Sequence, residues 1–191
     1  MQNLTLYFII FCILIQITFW IITAFYTKKT SENKGGWTMR IIALIVVGVI
    51  IFLRKQISIF IPVMDDIFYT RSLTSGIIAD IIVLFGVIIM ILARIILGKN
   101  WSANVTFKEN HELIMSGPYK YVRHPIYSGL LLIILGIAIY SGYFAGFLLF
   151  VIFFFGAYYK GIKEEKLLIE HFGQNYVEYK KKVKALIPFV F

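Results

Sequence analysis

The sequence predicts an all-α protein that crosses a membrane several times and carries a helical hairpin and an amphipathic helix in its C-terminal half. Hydrophobic residues make up 60% of its 191 residues and charged residues only 15%, whereas soluble domains are roughly half apolar and about a quarter charged. Apolar runs recur that are long enough to cross roughly 30 Å of hydrocarbon. Lysines and arginines flank these runs, as expected for membrane proteins.

The first three apolar runs predict three transmembrane helices, which form the first of two regions, 1–97. Span one covers about 4–26, span two begins near Met39, and span three covers about 77–97. Arg54 and Lys55 interrupt span two, and Arg94 lies near the end of span three. We expect the side chains of these cations to snorkel, that is, to extend along the helices to the membrane interface. Most of this region is expected to face lipid.

The second region, 98–191, contains two shorter apolar runs that predict the helical hairpin. The runs cover 125–140 and 143–159 and are separated by Ser141 and Gly142. From Lys160 onward, leucine and aromatic residues alternate with lysine and glutamate at helical spacing, which predicts the amphipathic helix. The hairpin would return the chain to the same membrane face, so that the polar stretches on either side of it form one site.

The loop charges predict five crossings, with the amphipathic helix and the active site facing the cytoplasm. Basic residues gather in the first loop, in the polar stretch 98–124 and in the tail, whereas acidic residues mark the second loop. For a prokaryotic chain this places the protein in the cell membrane. The net charge of +9 favours membrane lipids as partners, and nucleic acid is not expected.

Polar residues that could carry chemistry concentrate in two clusters. The first extends from Gly117 to Tyr127, and the second comprises Lys160 and the run from Lys163 to Glu165. The segment HELIMSGPYKYVRHPIYSG (111–129), the segment KEEKLLIEHFGQNYVEYKKKV (163–183) and the upstream GKNWS (98–102) resemble the isoprenylcysteine carboxyl methyltransferase family and its bacterial relatives. The resemblance extends over about residues 98–188, and the order and spacing of its motifs make it specific.

The resemblance implies a site for S-adenosylmethionine. The cofactor-binding residues that it implies are Asn104, His111, Glu112, Leu113, Ile114, Tyr119, His124, Pro125, Ile126, Tyr127 and Glu164. Asn104 stands where human-type members of the family carry a glutamine. Lys160 stands where those members carry an arginine that engages the substrate, and lysine offers a point charge instead of a planar fork.

The implied reaction is O-methylation of a carboxylate on a lipophilic, isoprenoid-like acceptor. A carboxylate is already ionised at neutral pH, so the protein must mainly align the reactants and exclude water. The predicted catalytic residues are Lys160, Arg123, His124 and Glu165. Lys160 or Arg123 would position the anionic acceptor. The three histidines are scattered along the sequence, and no metal site is expected.

Three alternatives remain open from the sequence. Phospholipid N-methylation would use a similar architecture but needs a group such as His124 or Glu165 to take a proton from the amine. Sterol reductases share part of the C-terminal pattern but carry additional spans. Finally, the chain could be a non-enzymatic membrane module, because Arg123 taken alone is a common interfacial anchor and Glu164 and Glu165 taken alone suit a solvated helix face.

Overall fold

The computed structural model describes residues 2–24, 66–101 and 112–190. Within these ranges the chain forms five α-helices: α1 Gln2–Ala24, α2 Leu73–Leu97, α3 Pro125–Ser141, α4 Phe144–Phe172 and α5 Gln174–Lys182. Short 3-10 helices cover Gly98–Asn100 and Gly117–Lys120. In this part of the chain, α1, α2 and α4 are long and apolar enough to cross a membrane, and α3 is a shorter apolar helix. The predicted all-α membrane fold class is confirmed.

The helices agree with the predicted spans except at the end of the hairpin. Predicted spans one and three correspond to α1 and α2, whereas span two, with Arg54 and Lys55, lies outside the described residues. The amphipathic stretch does not begin as a separate helix at Lys160. Helix α4 continues through it for 29 residues, about 43 Å, because lysine, glutamate and leucine are strong helix formers. It ends at Gly173, whose φ of 55° lies in the left-handed region.

Local sequence signals determine where the helices begin and turn. The Ser72 hydroxyl accepts a hydrogen bond from the Ser75 backbone N–H at 3.1 Å, and the Ser75 hydroxyl accepts one from Ser72 N–H at 2.9 Å, which closes a capping box at the start of α2. Pro125 is the first residue of α3, where its missing N–H costs nothing. Gly142 adopts the left-handed conformation at φ 68° and reverses the chain between α3 and α4.

Glycines bring α2 and α3 into close contact along their length. A Cβ atom on Gly129 would lie 2.6 Å from the Gly86 carbonyl oxygen, and one on Gly136 would lie 2.5 Å from Val83 Cγ2. Small residues allow such backbone approach between transmembrane helices, where van der Waals packing supplies much of the association energy. Helix α1 joins this pair through a core in which Ile9 and Cys12 are buried. Helices α1, α2 and α3 therefore pack around one apolar core.

The turn between α3 and α4 is held by the residues that precede α2. Phe68 N–H donates to the Gly142 carbonyl oxygen at 2.8 Å, and Phe144 N–H donates to the Asp66 carbonyl oxygen at 3.0 Å. The Tyr69 hydroxyl donates to the backbone carbonyl of Ile139. These bonds fix the turn end of the hairpin to the segment that precedes α2.

The structure corrects the expectation that Arg94 snorkels to the membrane interface. Its side chain is only 2% exposed and turns into the protein. Its Nη1 donates to the Gly98 carbonyl oxygen at 2.7 Å, its Nη2 donates to the Thr23 carbonyl oxygen at 2.6 Å, and its guanidinium lies 4.6 Å from the Trp101 ring centroid. Both carbonyls lie at helix C-termini, where the backbone dipoles favour a cation. Arg94 therefore joins the ends of α1 and α2.

The first region is also less uniformly lipid-facing than the sequence suggested. Thr5 and Gln16 on α1 are each only 9% exposed. Within the described part of the chain, both amide atoms of Gln16 and the Oδ1 atom of Asp80 are buried without a hydrogen-bond partner. The interface between α1 and α2 thus contains polar groups that a hydropathy profile does not distinguish from lipid-facing residues.

Candidate functional site

The candidate site lies where the start of α3, the C-terminal half of α4 and helix α5 meet. The strip Tyr119–Tyr127 approaches it through the 3-10 helix Gly117–Lys120, which Gly117 begins with a φ of 59°. Tyr119 is buried, and its hydroxyl donates to the Ala93 carbonyl oxygen at 3.5 Å. The strip is thereby held against the end of α2 before it enters α3.

Glu165 is the centre of an ionic network at this junction. Its Oε1 atom lies 2.7 Å from Arg123 Nε, 2.6 Å from Arg123 Nη2 and 3.2 Å from His124 Nε2, and its Oε2 atom lies 2.7 Å from Lys180 Nζ. Glu165 is 4% exposed. A buried carboxylate needs partners of this kind, because an unpaired charge in the interior carries a large desolvation penalty. The network therefore ties α3, α4 and α5 together.

His124 lies between two carboxylates. Its Nδ1 is 3.5 Å from Glu164 Oε2, while its Nε2 faces Glu165. Burial disfavours the imidazolium, but the hydrogen bonds and negative charges of Glu164 and Glu165 outweigh burial and raise the pKa of His124 above its ordinary value. Both ring nitrogens therefore face carboxylates, which stabilise the imidazolium relative to a free histidine.

Tyr127 packs against His124 on the side of the site that contains Glu164. Its hydroxyl donates to Glu164 Oε1, and its ring stacks on His124 with centroids 5.6 Å apart and an interplanar angle of 21°. The Lys160 ammonium lies 5.4 Å from the centroid of the Tyr127 ring. The Tyr127 ring therefore contacts the Lys160 ammonium as well as the His124 imidazole.

Gly161 allows α4 to pass close to the imidazole of His124. A Cβ atom at this position would lie 3.1 Å from His124 Nε2, which is tighter than ordinary packing. On the Glu165 flank of α4 there is a small pocket of about 110 Å³. Its lining combines the ionic network with apolar residues of α4 and of the C-terminal segment: Arg123, His124, Ala157, Tyr158, Gly161, Ile162, Glu165, Lys180, Ala185 and Leu186.

The segment after α5 pairs with the strip by backbone hydrogen bonds. Arg123 N–H donates to the Lys184 carbonyl oxygen at 2.8 Å, and His124 N–H donates to the Ala185 carbonyl oxygen at 3.0 Å. The Ser128 hydroxyl donates to the Leu186 carbonyl oxygen at 2.6 Å. The Arg123 guanidinium also donates to the Val183 carbonyl. The C-terminal segment is therefore a structural part of the site.

The structure brings six of the fourteen sequence-predicted site residues into contact with one another. Arg123, His124, Tyr127, Lys160, Glu164 and Glu165 form one connected cluster. Pro125 is buried and Ile126 half-buried at the start of α3, while Glu112, Leu113 and Ile114 precede the 3-10 helix, the first of them exposed and the other two half-buried. Asn104 and His111 lie outside the described residues.

Sequence reasoning missed several residues that build the site. Lys180 completes the Glu165 network, Tyr179 donates from its hydroxyl to the Tyr119 carbonyl oxygen at 2.6 Å, and Ser128 anchors the C-terminal segment. The available signal was that all three lie within the segments that carry the family resemblance, Ser128 in the first and Tyr179 and Lys180 in the second. Lys180 and Glu165 are 15 residues apart and lie on different helices, whereas the partners of Tyr179 and Ser128 are 60 and 58 residues away, and no local periodicity records such contacts.

A family model for phospholipid methyltransferases matches residues 74–175, which is 102 of the 191 residues. The chain belongs to the phospholipid methyltransferase family. The matched stretch begins in α2, includes the whole hairpin, and ends just inside α5. It contains every residue of the connected cluster, whereas Lys180, which also contacts Glu165, lies beyond it.

Within this family, the chain is similar to protein-S-isoprenylcysteine O-methyltransferases. It is 38% identical to the enzyme of Schizosaccharomyces pombe over 96 residues, which is 49% of this chain and 41% of that protein. It is 35% identical to the Xenopus laevis enzyme over 121 residues, which is 60% of this chain and 41% of that protein. The chain thus spans about two fifths of the length of these relatives, and the resemblance seen in the sequence is confirmed.

The fold is similar to that of a solved eukaryotic intramembrane Ras methyltransferase, an isoprenylcysteine carboxyl methyltransferase. The TM-score is 0.56 at 24% sequence identity, and the match covers 84% of this chain and 55% of that one. Together with the three helices able to cross a membrane, this likeness in fold establishes an integral membrane protein. The relatives are methyltransferases, enzymes that generally use S-adenosylmethionine.

Proposed function

We propose that this family member transfers a methyl group from S-adenosylmethionine to the carboxylate of a lipophilic, isoprenoid-like acceptor, at a site in region 98–191 that faces the cytoplasm. The observation that carries the proposal is the convergence of the two motifs: Tyr127 and His124 from the first contact Glu164 and Glu165 from the second. Both motifs lie within the part of the chain that matches the family.

The residues around Glu164 suit the cofactor. The Glu164 side chain is 25% exposed, so its carboxylate can accept further hydrogen bonds beyond those from Tyr127 and His124. Such a carboxylate would hold the ribose hydroxyls or the ammonium group of S-adenosylmethionine. The bound cofactor supplies a methyl group on a sulfonium centre.

Lys160 suits the positioning of an anionic acceptor. It is exposed on α4, on the same flank as Glu164 and Tyr127. It is the seventeenth residue of α4, which begins at Phe144, so it lies about 24 Å along the axis, near the edge of a hydrocarbon layer of roughly 30 Å. A lipophilic acceptor could present its carboxylate to Lys160 there while its tail stays in the bilayer.

The contacts of the ionisable groups favour an oxygen acceptor over an amine. N-methylation needs a base, and the candidates were His124 and Glu165. Both ring nitrogens of His124 already face carboxylates, and the Glu165 carboxylate is held by Arg123, His124 and Lys180. Neither group therefore has a free position for a proton from the substrate, whereas an ionised carboxylate needs no base.

Cofactor binding is the first test of the proposal. Calorimetric titration of the purified, detergent-solubilised protein with S-adenosylmethionine should give saturable binding. Glu164→Ala should weaken that binding by about tenfold or more, since it removes charge-assisted hydrogen bonds. Glu170→Ala, an exposed carboxylate further along α4, serves as the matched control and should bind like the unmodified protein. An unmodified protein that does not bind the cofactor would exclude the enzyme and favour the membrane-module alternative.

Methyl transfer distinguishes the two acceptor chemistries. Methyl-labelled S-adenosylmethionine is incubated with the protein and a membrane lipid extract, and the labelled product is treated with base. Base-labile label indicates a methyl ester, the expected result. Base-stable label in a headgroup indicates N-methylation and overturns the carboxylate proposal. Lys160→Ala should raise the KM for the acceptor and leave cofactor affinity unchanged.

A further inference from the structure

The geometry of the C-terminal end points to a lipid-docking segment. We infer that residues 183–190, together with the lysines at the end of α5, bind the anionic headgroups of the surrounding bilayer and that this contact stabilises the strip Tyr119–Tyr127. The partner is anionic phospholipid in the membrane that holds the protein. The inference that lipid docking tightens cofactor binding rests on the proposed function, whereas the docking itself does not.

The segment lies at the depth of the hydrocarbon boundary. Ala185 and Leu186 are buried and form a small core with Leu131 on α3, against which Tyr158 on α4 also packs. Leu131 is six residues beyond Pro125, about 9 Å inward from the start of α3, and Tyr158 is fourteen residues beyond Phe144, about 21 Å along α4. A segment that packs at the level of these residues is embedded in the outer part of a hydrocarbon layer roughly 30 Å thick.

Beyond Leu186, apolar side chains point away from the protein. Ile187 is 43%, Phe189 86% and Val190 71% exposed. In water these three side chains would be an unfavourable surface, but at this depth they contact acyl chains. Lys181, Lys182 and Lys184 are exposed beside them, whereas Lys180 is held by Glu165. Apolar side chains next to a row of lysines are the combination that anionic lipid interfaces attract.

The docked segment is connected directly to the functional residues. The carbonyls of Lys184 and Ala185 accept the backbone hydrogens of Arg123 and His124, and the carbonyl of Leu186 accepts the Ser128 hydroxyl. A lipid contact that holds residues 183–190 in place therefore also holds the backbone of the residues that bind Glu164 and Glu165. Anionic lipid should consequently slow the opening of these hydrogen bonds and increase the affinity for the cofactor.

Depth-dependent quenching tests the docking. In a Cys12→Ala background, Phe189→Cys is labelled with an environment-sensitive fluorophore and placed in nanodiscs that contain neutral and anionic lipid. Quenching by doxyl-labelled lipid and protection from aqueous iodide are expected. The matched control, Cys12→Ala with Asn175→Cys, labels an exposed position at the start of α5 and should show the reverse. Iodide quenching without doxyl quenching at position 189 would overturn the inference, and so would protection from both quenchers, which would indicate that protein covers the segment.

Hydrogen exchange tests the coupling without reference to activity. Amide exchange in residues 122–128 should be several-fold slower in nanodiscs with anionic lipid than in neutral ones. The triple variant Lys181→Gln, Lys182→Gln and Lys184→Gln should lose this difference, while the control Lys166→Gln, an exposed lysine on α4, should keep it. A difference that survives in the triple variant would contradict the inference.

Calorimetry in the same nanodiscs then separates the two proposals. Tighter binding of S-adenosylmethionine with anionic lipid is expected, again abolished in the triple variant. Absence of cofactor binding in every lipid would remove the proposed function and leave the docking segment supported by quenching and exchange. Cofactor binding that does not change with lipid charge would remove the coupling alone.

Discussion

Arg94 and Arg123 lie at the same end of the molecule but have different hydrogen-bond partners. Arg94 donates to the backbone carbonyls of Thr23 and Gly98 and, in the described part of the chain, has no salt bridge to a carboxylate. Arg123 donates to the Glu165 carboxylate and to backbone carbonyls of the C-terminal segment. Both guanidinium groups are largely shielded from solvent, but only Arg123 belongs to a network of ionisable side chains.

The two arginines differ in how their surroundings respond to charge. Carbonyls at helix ends cannot gain or lose a proton, so Arg94 has surroundings that do not respond to pH or to a charged ligand. The Glu165 network contains His124, and through it reaches Glu164, which is partly open to solvent. A ligand that binds Glu164 therefore changes the balance of charge around Arg123 and leaves the surroundings of Arg94 unchanged.

Glu165→Ala should cause the largest loss of stability. It leaves Arg123, like Arg94, with backbone carbonyls as its hydrogen-bond partners. It removes the only carboxylate that contacts Arg123 in the described residues and leaves Arg123 and Lys180 unneutralised. Loss of one partner of a buried ion pair typically costs about 3–5 kcal/mol. Thermal unfolding in detergent measures the loss, with Glu164→Ala, at a partly exposed carboxylate, as the milder control. Equal unfolding temperatures for the two variants would contradict the central role of Glu165.

Arg94→Met should have an intermediate effect. It leaves the carbonyls of Thr23 and Gly98 without their charged donor, and a buried polar group without a partner costs about 1–3 kcal/mol. Stability should fall while the Kd for S-adenosylmethionine, measured by calorimetry well below the unfolding temperature, stays close to that of the unmodified protein. A large loss of cofactor affinity in Arg94→Met would place this arginine in the site and break the comparison.

Tyr179→Phe should have a smaller effect. The substitution removes one buried hydrogen bond to the Tyr119 carbonyl oxygen, worth about 0.5–1.5 kcal/mol. The ring itself stays packed beside Tyr176. Urea or thermal unfolding should detect the change, and Tyr121→Phe, at a 61% exposed position, should be indistinguishable from the unmodified protein. A Tyr179→Phe protein with unchanged stability would show that α5 is not held to the strip through this bond.

The smallest effect should be a gradual change of the unfolding temperature with pH. The carboxylates raise the pKa of His124 above its ordinary value of 6.5. A raised pKa in the folded protein stabilises the fold below the unfolded pKa, and this contribution is lost as the pH rises through the folded pKa. The unfolding temperature should therefore decline above about pH 6.5, and His124→Gln should flatten that decline. A steeper decline in His124→Gln would assign the pH dependence to other groups.

Several features of the fold followed from local signals in the sequence. Pro125 marks the start of α3 and Gly142 marks the turn, because ring geometry and a left-handed backbone restrict these positions to few residue types. The motif spacing then placed His124 and Glu165 at the same end of the hairpin. The side of α4 on which each glutamate lies also follows from helical geometry, since adjacent residues differ by about 100° around the axis.

The remaining features depend on contacts between distant residues. Whether Arg94 turns inward or outward depends on the presence of acceptors at the end of α1, seventy-one residues away. Lys180 looks like its neighbours Lys181 and Lys182 in the sequence, and only the folded position of α5 selects it as the partner of Glu165. A hydropathy profile averages over neighbouring residues, so it predicts the membrane spans but does not predict which polar side chains are buried between them.

The pairing of residues 184 and 185 with residues 123 and 124 has a consequence for biosynthesis. During translation and membrane insertion, every helix from α1 to α5 is synthesised before these last acceptors emerge from the ribosome. Until they arrive, the backbone hydrogens of Arg123 and His124 lack their partners. A nascent chain arrested at residue 182 would therefore contain all the helices described and still lack two backbone hydrogen bonds of the candidate site.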